Sequence, residues 1–227
     1  MMHRLSPFRA RVAIAAVAAA ALIALAAASG APAAHEHEHS HAAPTARTAK
    51  AARLHDGMRK LWEDHITWTR LAIVSFAGGL PDLQATEGRL LQNQADIATA
   101  IRPYYGNAAS TKLRGLLRAH FLGAVALLQA AKANDTAALG TAQNAWYANG
   151  NDIADFLSSA NPRNWPRGEM RSMMKSHLDE TLKEAVDHLN GRFAADVADY
   201  DAIHKTILEM ADMLSDGIVA QFPARFR

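Results

Sequence analysis

Apolar side chains recur at steps of three and four residues along almost the whole stretch from Arg53 to Ala220. This spacing places them on one face of a helix, and the alternating β-branched residues typical of strands are absent. Glycine, proline and asparagine divide the stretch into predicted helices at about 53–77, 81–102, 107–133, a fourth from the NDTAAL segment to 160 with a break at 149–151, 168–189 and 194–220. We therefore predict an all-α bundle of six or seven helices over residues 53–227.

A weak internal repeat runs through the predicted helices. The segments Asn93–Ile101 and Asn149–Leu157 share the pattern N-x-x-D-I-A. His65, His120 and His177 follow one another at nearly the same interval as these two segments. The repeat indicates a duplicated helix pair with flanking helices. Chance similarity in an alanine-rich helical chain is the alternative.

Residues 1–34 have the composition of a secretory signal peptide. The first eleven residues contain three arginines and no acidic residue. An apolar run from Val12 to Ala28 follows, and after it come the small residues SGAPAA. The expected cleavage leaves a mature chain that starts at Ala34 or His35 and has no stable membrane anchor; an uncleaved anchor is the alternative. We therefore expect export to the periplasm or the extracellular space. Residues 42–52 are small, polar and aperiodic, and they are predicted to form a flexible linker.

The charge of the mature chain argues against nucleic acid as a partner. The whole chain carries a formal charge of +2. Without the three arginines of the predicted signal, 21 Lys and Arg stand against 22 Asp and Glu, and no basic run remains. The chain has no cysteine, so an exported form would have no disulfide and would depend on a packed core for its stability.

Four histidines stand alone in the apolar stripes of four different predicted helices, namely His65, His120, His177 and His204. The stripes predict that each imidazole points into the bundle. Imidazole is a good ligand for copper, zinc, nickel and iron, and helix bundles hold such ions between facing helices. Convergence on one ion would explain all four histidines. For each one taken alone, an ordinary buried histidine with a hydrogen-bond partner is the alternative.

Three carboxylates extend this candidate site. Asp201 precedes His204 by three residues, Glu180 follows His177 by three, and Asp212 lies two turns beyond His204. Spacings of three or four residues put a carboxylate and an imidazole on the same helical face. The candidate metal ligands are therefore His65, His120, His177, Glu180, Asp201, His204 and Asp212.

A second group of imidazoles lies at the predicted mature N-terminus, in the segment HEHEHSH. Alternate residues of an extended chain share one side, so His35, His37, His39 and His41 can bind Cu(II), Ni(II) or Zn(II) together. We interpret this histidine tract as an accessory site of low affinity. A solvated, pH-responsive leader is the alternative.

Several segments resemble a family of uncharacterised exported bacterial α-helical proteins. They are LWEDHITWTR at 61–70, LLQNQADI at 90–97, YDAIHKTILEMADMLSDGI at 200–218 and QFPARF at 221–226. The resemblance covers most of the chain after the linker and includes His65, Asp96, Asp201, His204 and Asp212. It implies export and a helical fold but no particular activity. Some members carry a glycosyltransferase label, which the missing β/α alternation does not support here.

The sequence thus predicts an exported bundle that binds a transition metal in a buffering, capture or delivery role. The metal would be copper, zinc, nickel or iron. No nucleophile or acid–base dyad stands out, which favours binding over catalysis. A metal-dependent oxidase or hydrolase and a metal-free interaction module of the cell envelope are the two alternatives.

Overall fold

The computed structural model describes residues 47–227, which form six α-helices and a C-terminal 3-10 turn. The helices are α1 (Ala49–Gly78), α2 (Leu83–Ala100), α3 (Arg102–Ala133), α4 (Thr136–Ala160), α5 (Arg167–Leu189) and α6 (Phe193–Gln221), and the turn covers Pro223–Phe226. The predicted all-α bundle is confirmed. The predicted signal peptide, the histidine tract and linker residues 42–46 lie outside the described residues.

The six helices form a closed ring. Each helix packs against the next one along the chain, and α6 returns to pack against α1. The connections are short, the longest being residues 161–166, so neighbouring helices run antiparallel. As a consequence α1, α3 and α5 run in one direction and α2, α4 and α6 in the other. Apolar side chains from all six helices fill the space between them. None of the described helices combines the length and the apolarity that crossing a bilayer requires.

Local signals in the sequence set the ends of the helices. Gly79 adopts a left-handed conformation with φ of 63°, and the next amide returns to the carbonyl of Ser75 at 2.9 Å, which closes α1. The Asp135 side chain accepts the Ala138 amide at 2.9 Å and so caps the start of α4. The start of α1 lies inside the predicted linker, because the Thr48 hydroxyl accepts the Ala51 amide at 3.3 Å.

The predicted break in the fourth helix is wrong, since α4 is continuous across the Asn-Gly-Asn segment. Gly150 is buried where α4 meets α5. A Cβ atom at this position would lie 3.1 Å from Leu178 Cδ2 and 3.1 Å from Met174 Cγ. The glycine therefore allows two helices to approach closely, and it does not end a helix here.

The burial pattern of the helices follows the spacing of the predicted internal repeat. Ala98, Ala154 and Ala211 are each 0% exposed, and they lie 56 and 57 residues apart in α2, α4 and α6. The residues before them are also buried, at 1%, 1% and 2%. This pattern fits three copies of one helical hairpin, where the sequence predicts one duplicated pair with flanking helices.

Candidate metal-binding site

Three of the four predicted interior histidines lie together in the core. His65 on α1, His120 on α3 and His177 on α5 are 4%, 6% and 6% exposed. The ring centroid of His177 lies 5.9 Å from that of His65 and 6.3 Å from that of His120. Each histidine sits at the matching position of the first helix of its hairpin, and those three helices run in the same direction. The threefold repeat therefore places the three imidazoles in one layer, which we call the histidine layer.

Burial keeps the histidine layer uncharged. It lowers the pKa of His65 to about 3, an effect that repulsion from His120 increases and Asn93 partly opposes. It lowers the pKa of His120 to about 4, against the opposing hydrogen bond of Asn149. The pKa of His177 also lies well below its usual value, because of burial and then repulsion from the other two rings. At neutral pH each ring thus has one nitrogen with a free lone pair, which is the form that binds a metal.

One asparagine orients a ring of the layer, and a second asparagine holds the equivalent position in another hairpin. The Nδ2 group of Asn149 donates to the carbonyl of Leu116 at 3.2 Å, which leaves its Oδ1 atom 3.2 Å from His120 Nδ1. Because an amide oxygen can only accept, His120 carries its proton on Nδ1 and its lone pair on Nε2. Asn93 holds the equivalent position on α2 and donates to the carbonyl of Leu61 at 2.9 Å.

The other two rings have nitrogens without hydrogen-bond partners. His65 Nδ1 and His177 Nδ1 are fully buried, and neither has a partner among the described residues. Asn93 lies close enough to His65 to oppose the lowering of its pKa, but its Oδ1 atom also has no partner within hydrogen-bond geometry. In the third hairpin Thr206 takes the place of the asparagine, and its hydroxyl donates to Glu180 Oε2 at 2.7 Å. A buried polar atom without a partner is costly and is usually explained by a ligand, an ion or water.

Aromatic rings hold the layer from two sides. The Trp146 ring stacks on His120 with a centroid distance of 5.2 Å, and its Nε1–H group donates to the His120 carbonyl at 3.1 Å. The Trp62 ring meets His65 edge-on at 5.8 Å. These contacts restrict the rotation of two of the three imidazoles. The layer is therefore partly preorganised and lies in apolar surroundings.

The remaining predicted ligands lie outside the layer. The His204 side chain is 39% exposed, and its Nε2 atom lies 2.9 Å from Glu63 Oε1 at the surface. The prediction that His204 points inward is wrong, because the buried stripe of α6 passes through Ile203 and Ile207, and His204 lies beside that stripe. Asp201 is exposed on the same helix.

Two further carboxylates of the predicted set are engaged elsewhere. Asp212 Oδ2 accepts from Arg59 Nη1 at 2.6 Å, and Asp212 Oδ1 lies 2.8 Å from His55 Nε2. These contacts join α6 to α1 at the side of the bundle. Glu180 accepts from Thr206 between α5 and α6.

The three imidazoles do not form a metal site in the positions that the structure gives them. Rings that share an ion at a metal–nitrogen distance of about 2.1 Å have centroids roughly 5.3 Å apart. The two measured separations exceed this by about 1 Å or less. Within residues 47–227, no group of three or more His, Cys, Asp or Glu side chains already has the geometry to hold a metal ion. Ion binding would require the three rings to rotate and move closer together.

Sequence reasoning identified the three histidines but missed the two asparagines. Both asparagines belong to the N-x-x-D-I-A pattern, which was the available signal. Asp152 is exposed, and Asp96 accepts from Gln92 at 2.8 Å on its own helix. Asn93 and Asn149 are the members of the repeat that face the histidines.

Comparison of the chain with protein-family models, with curated proteins and with solved structures gives no match in any of the three.

Proposed function

We propose that the protein binds one transition-metal ion between His65, His120 and His177, in a capture, buffering or delivery role. The observation that carries this proposal is the meeting of three buried, uncharged imidazoles from three different helices. A single buried histidine is commonly explained by one hydrogen bond. Three that face one another, two of them with an unpartnered ring nitrogen, are better explained by a shared ligand.

The protonation of the layer supports a cation as that ligand. Three imidazoles with lowered pKa values are neutral over the whole physiological range. They provide up to three lone pairs without the cost of removing a proton. Zinc and copper suit this nitrogen set best, and nickel and iron are also compatible with it.

A surface groove between α5 and α6 offers a route to the layer. It is lined by Met173, Ser176, His177, Thr206, Glu209 and Met210. His177 is thus the ring of the layer that this groove reaches. The thioether and carboxylate groups of the groove are weak ligands that could pass an ion to His177.

The surroundings of the layer favour binding over catalysis. Among the described residues, no carboxylate forms a hydrogen bond or ion pair with a ring of the layer, and the one ring hydrogen bond is that of His120 with Asn149. A hydrolytic or oxidative centre needs a general base or a polar open position beside the ion. In this proposal the histidine tract of residues 35–41 captures metal at low affinity and raises its concentration near the bundle, after export.

Metal binding can be measured on a variant in which His35, His37, His39 and His41 are replaced by serine, which we call the tract-silenced variant. Equilibrium dialysis against Zn(II), Cu(II) and Ni(II) should give one tightly bound ion per chain for at least one metal. Zinc at about 100 times its dissociation constant should raise the free energy of unfolding by about 2.7 kcal/mol. The stoichiometric ion should be lost in His120→Leu and in His177→Leu, each in the tract-silenced background.

The matched control is His204→Gln, because His204 is an isolated histidine of similar helical context that lies at the surface. It should bind the ion as the tract-silenced parent does. A tract-silenced chain that folds and binds none of the three metals would overturn the proposal and favour the metal-free interaction module. Circular dichroism of each variant shows whether a loss of binding is a loss of fold.

A further inference from the structure

A cavity lies directly beside the histidine layer. Thr69, Ala124 and Thr181 line it, and each follows a histidine of the layer by about one helical turn. The three helices that carry them run in the same direction, so the cavity begins where the layer ends. It extends from there toward the C-terminal end of α1, at Phe76.

The cavity is small. Its volume is about 50 Å³. One water molecule needs about 10–15 Å³. The interior therefore has the volume of a few water molecules, which suits a slender molecule better than a bulky one.

The walls are apolar, and their polar groups are already engaged. Side chains that include Ile73, Leu90, Phe121, Leu128 and Leu182 form the walls. The Thr69 hydroxyl donates to the His65 carbonyl at 2.8 Å, and the Thr181 hydroxyl donates to the His177 carbonyl at 2.8 Å. Water in such a cavity would have few hydrogen-bond partners, whereas an alkyl group would replace it favourably because each methylene leaves contact with water.

The charged groups of this region stand near the outside. Glu87 belongs to the lining and is only partly buried. Lys132 Nζ lies 4.7 Å from the centroid of the Phe76 ring and donates to the Phe76 carbonyl at 2.7 Å, with its side chain exposed. A ligand with one apolar and one polar end would thus keep its polar end at the mouth.

We propose that this cavity binds the alkyl chain of a small amphiphile, with the chain end against the histidine layer and the polar head at the mouth. The inference goes beyond metal binding and does not depend on it. The small interior suits an unbranched chain, and the threonine O–H groups at the inner end already donate to backbone carbonyls. A metal ion in the layer, if present, would lie next to the chain end.

The probe pair 1-hexanol and hexane-1,6-diol tests this directly on the full chain. Both have the same carbon chain, but the diol would have to bury a second hydroxyl among the apolar walls of the cavity. We expect 1-hexanol to raise the melting temperature with increasing concentration and to shift the methyl NMR signals of Ile73. The diol should bind at least tenfold more weakly.

Two filling variants locate the site. Ala124→Leu and Ala185→Leu each place a larger side chain into the cavity from a different helix, α3 or α5. Either should weaken 1-hexanol binding at least tenfold in a folded protein. The matched control is Ala126→Leu, which adds the same group at an exposed position of α3 and should leave binding unchanged. Absence of 1-hexanol binding, equal binding of the diol, or undiminished binding by a folded filling variant would overturn the proposal.

Discussion

At the residue scale, the buried histidines make stability depend on pH. Their pKa values are lowered in the folded state, so the unfolded state binds more protons below the ordinary value of 6.5. Stability is therefore full above about pH 6.5 and is lost as the pH falls toward the folded values. Glu184 acts in the opposite direction, because burial raises its pKa to about 7 against the attraction of Arg70. The effect of the three histidines outweighs that of the one glutamate, so the free energy of unfolding falls as the pH falls.

We predict that the free energy of unfolding falls by about 3 kcal/mol between pH 7 and pH 5. Urea unfolding in the presence of a chelator measures it without bound metal. In His177→Leu the fall should be smaller by roughly 2 kcal/mol, because one of the three groups is gone. The surface variant His204→Gln should show the same fall as the parent. Stability that is flat from pH 7 to pH 5 would contradict the assignment of three buried, uncharged rings.

At the element scale, the connection between α4 and α5 is anchored on α6 by one glycine. The Asn161 side chain donates to the Gly217 carbonyl at 2.9 Å, and Trp165, which is 1% exposed, lies against the same residue. A Cβ atom on Gly217 would lie 2.1 Å from Trp165 Nε1. The indole also donates to the Met213 carbonyl at 3.3 Å, so it cannot move without losing this bond.

Gly217→Ala should therefore destabilise the protein, although alanine favours helices more than glycine does. We expect a loss of about 2–3 kcal/mol in the free energy of unfolding, as for other overpacked cores. Gly115→Ala is the matched control, since Gly115 lies within α3 and an added Cβ atom would meet nothing within 4 Å. That variant should gain up to about 1 kcal/mol. Equal effects of the two substitutions would refute the tight contact at Gly217.

The helices themselves could be predicted from the sequence, because periodicity and capping residues act locally. The break at Gly150 was predicted wrongly because a glycine that permits close packing looks the same in sequence as one that ends a helix. His204 was misplaced for a related reason. His204 lies one residue away from the buried stripe, since Ile203 and Ile207 are 1% and 0% exposed, while Val197, two turns before His204 on its own line, is 53% exposed. Which of two adjacent stripes faces inward is decided by the neighbouring helices and not by the helix alone.

At the scale of the whole molecule, the threefold repeat brings the histidines together. Nearly equal spacings from His65 to His120 and from His120 to His177 put one histidine in each hairpin. Because the six helices close into a ring, histidines at the same position of each hairpin lie at the same height in the bundle and form one layer. The spacing of the three histidines is visible in the sequence, but two copies of a pattern do not establish a repeat, and a third copy is needed. That copy is hard to find in sequence, since Thr206 replaces the asparagine that marks the other two.

The ring is closed where the two ends of the described chain meet. The Thr48 hydroxyl donates to the Phe226 carbonyl at 2.6 Å, and Lys50 Nζ donates to the Arg227 carbonyl at 2.7 Å. The Phe226 ring is 5% exposed and stacks on Tyr104 at a centroid distance of 5.7 Å. The C-terminal turn thus bridges the start of α1 and the start of α3.

Phe226→Ala should loosen this closure. The expected loss is about 3 kcal/mol in the free energy of unfolding, as for other buried phenylalanines. Phe193→Ala removes the same ring at a position that is 59% exposed and should change stability by less than about 0.5 kcal/mol. Chemical denaturation of both variants gives the comparison. Near-equal values would show that the C-terminal turn contributes little to the closed ring.

We propose that His65, His120 and His177 share one metal ion, and the ring-nitrogen NMR spectrum of the histidines can show this. The tract-silenced variant, labelled with ¹⁵N, is recorded before and after one equivalent of Zn(II). We predict that the ring nitrogens of these three residues shift together and saturate at one ion per chain, while those of the histidines outside the layer keep their positions. Shifts confined to the histidines outside the layer, with the three buried rings unchanged, would contradict the account.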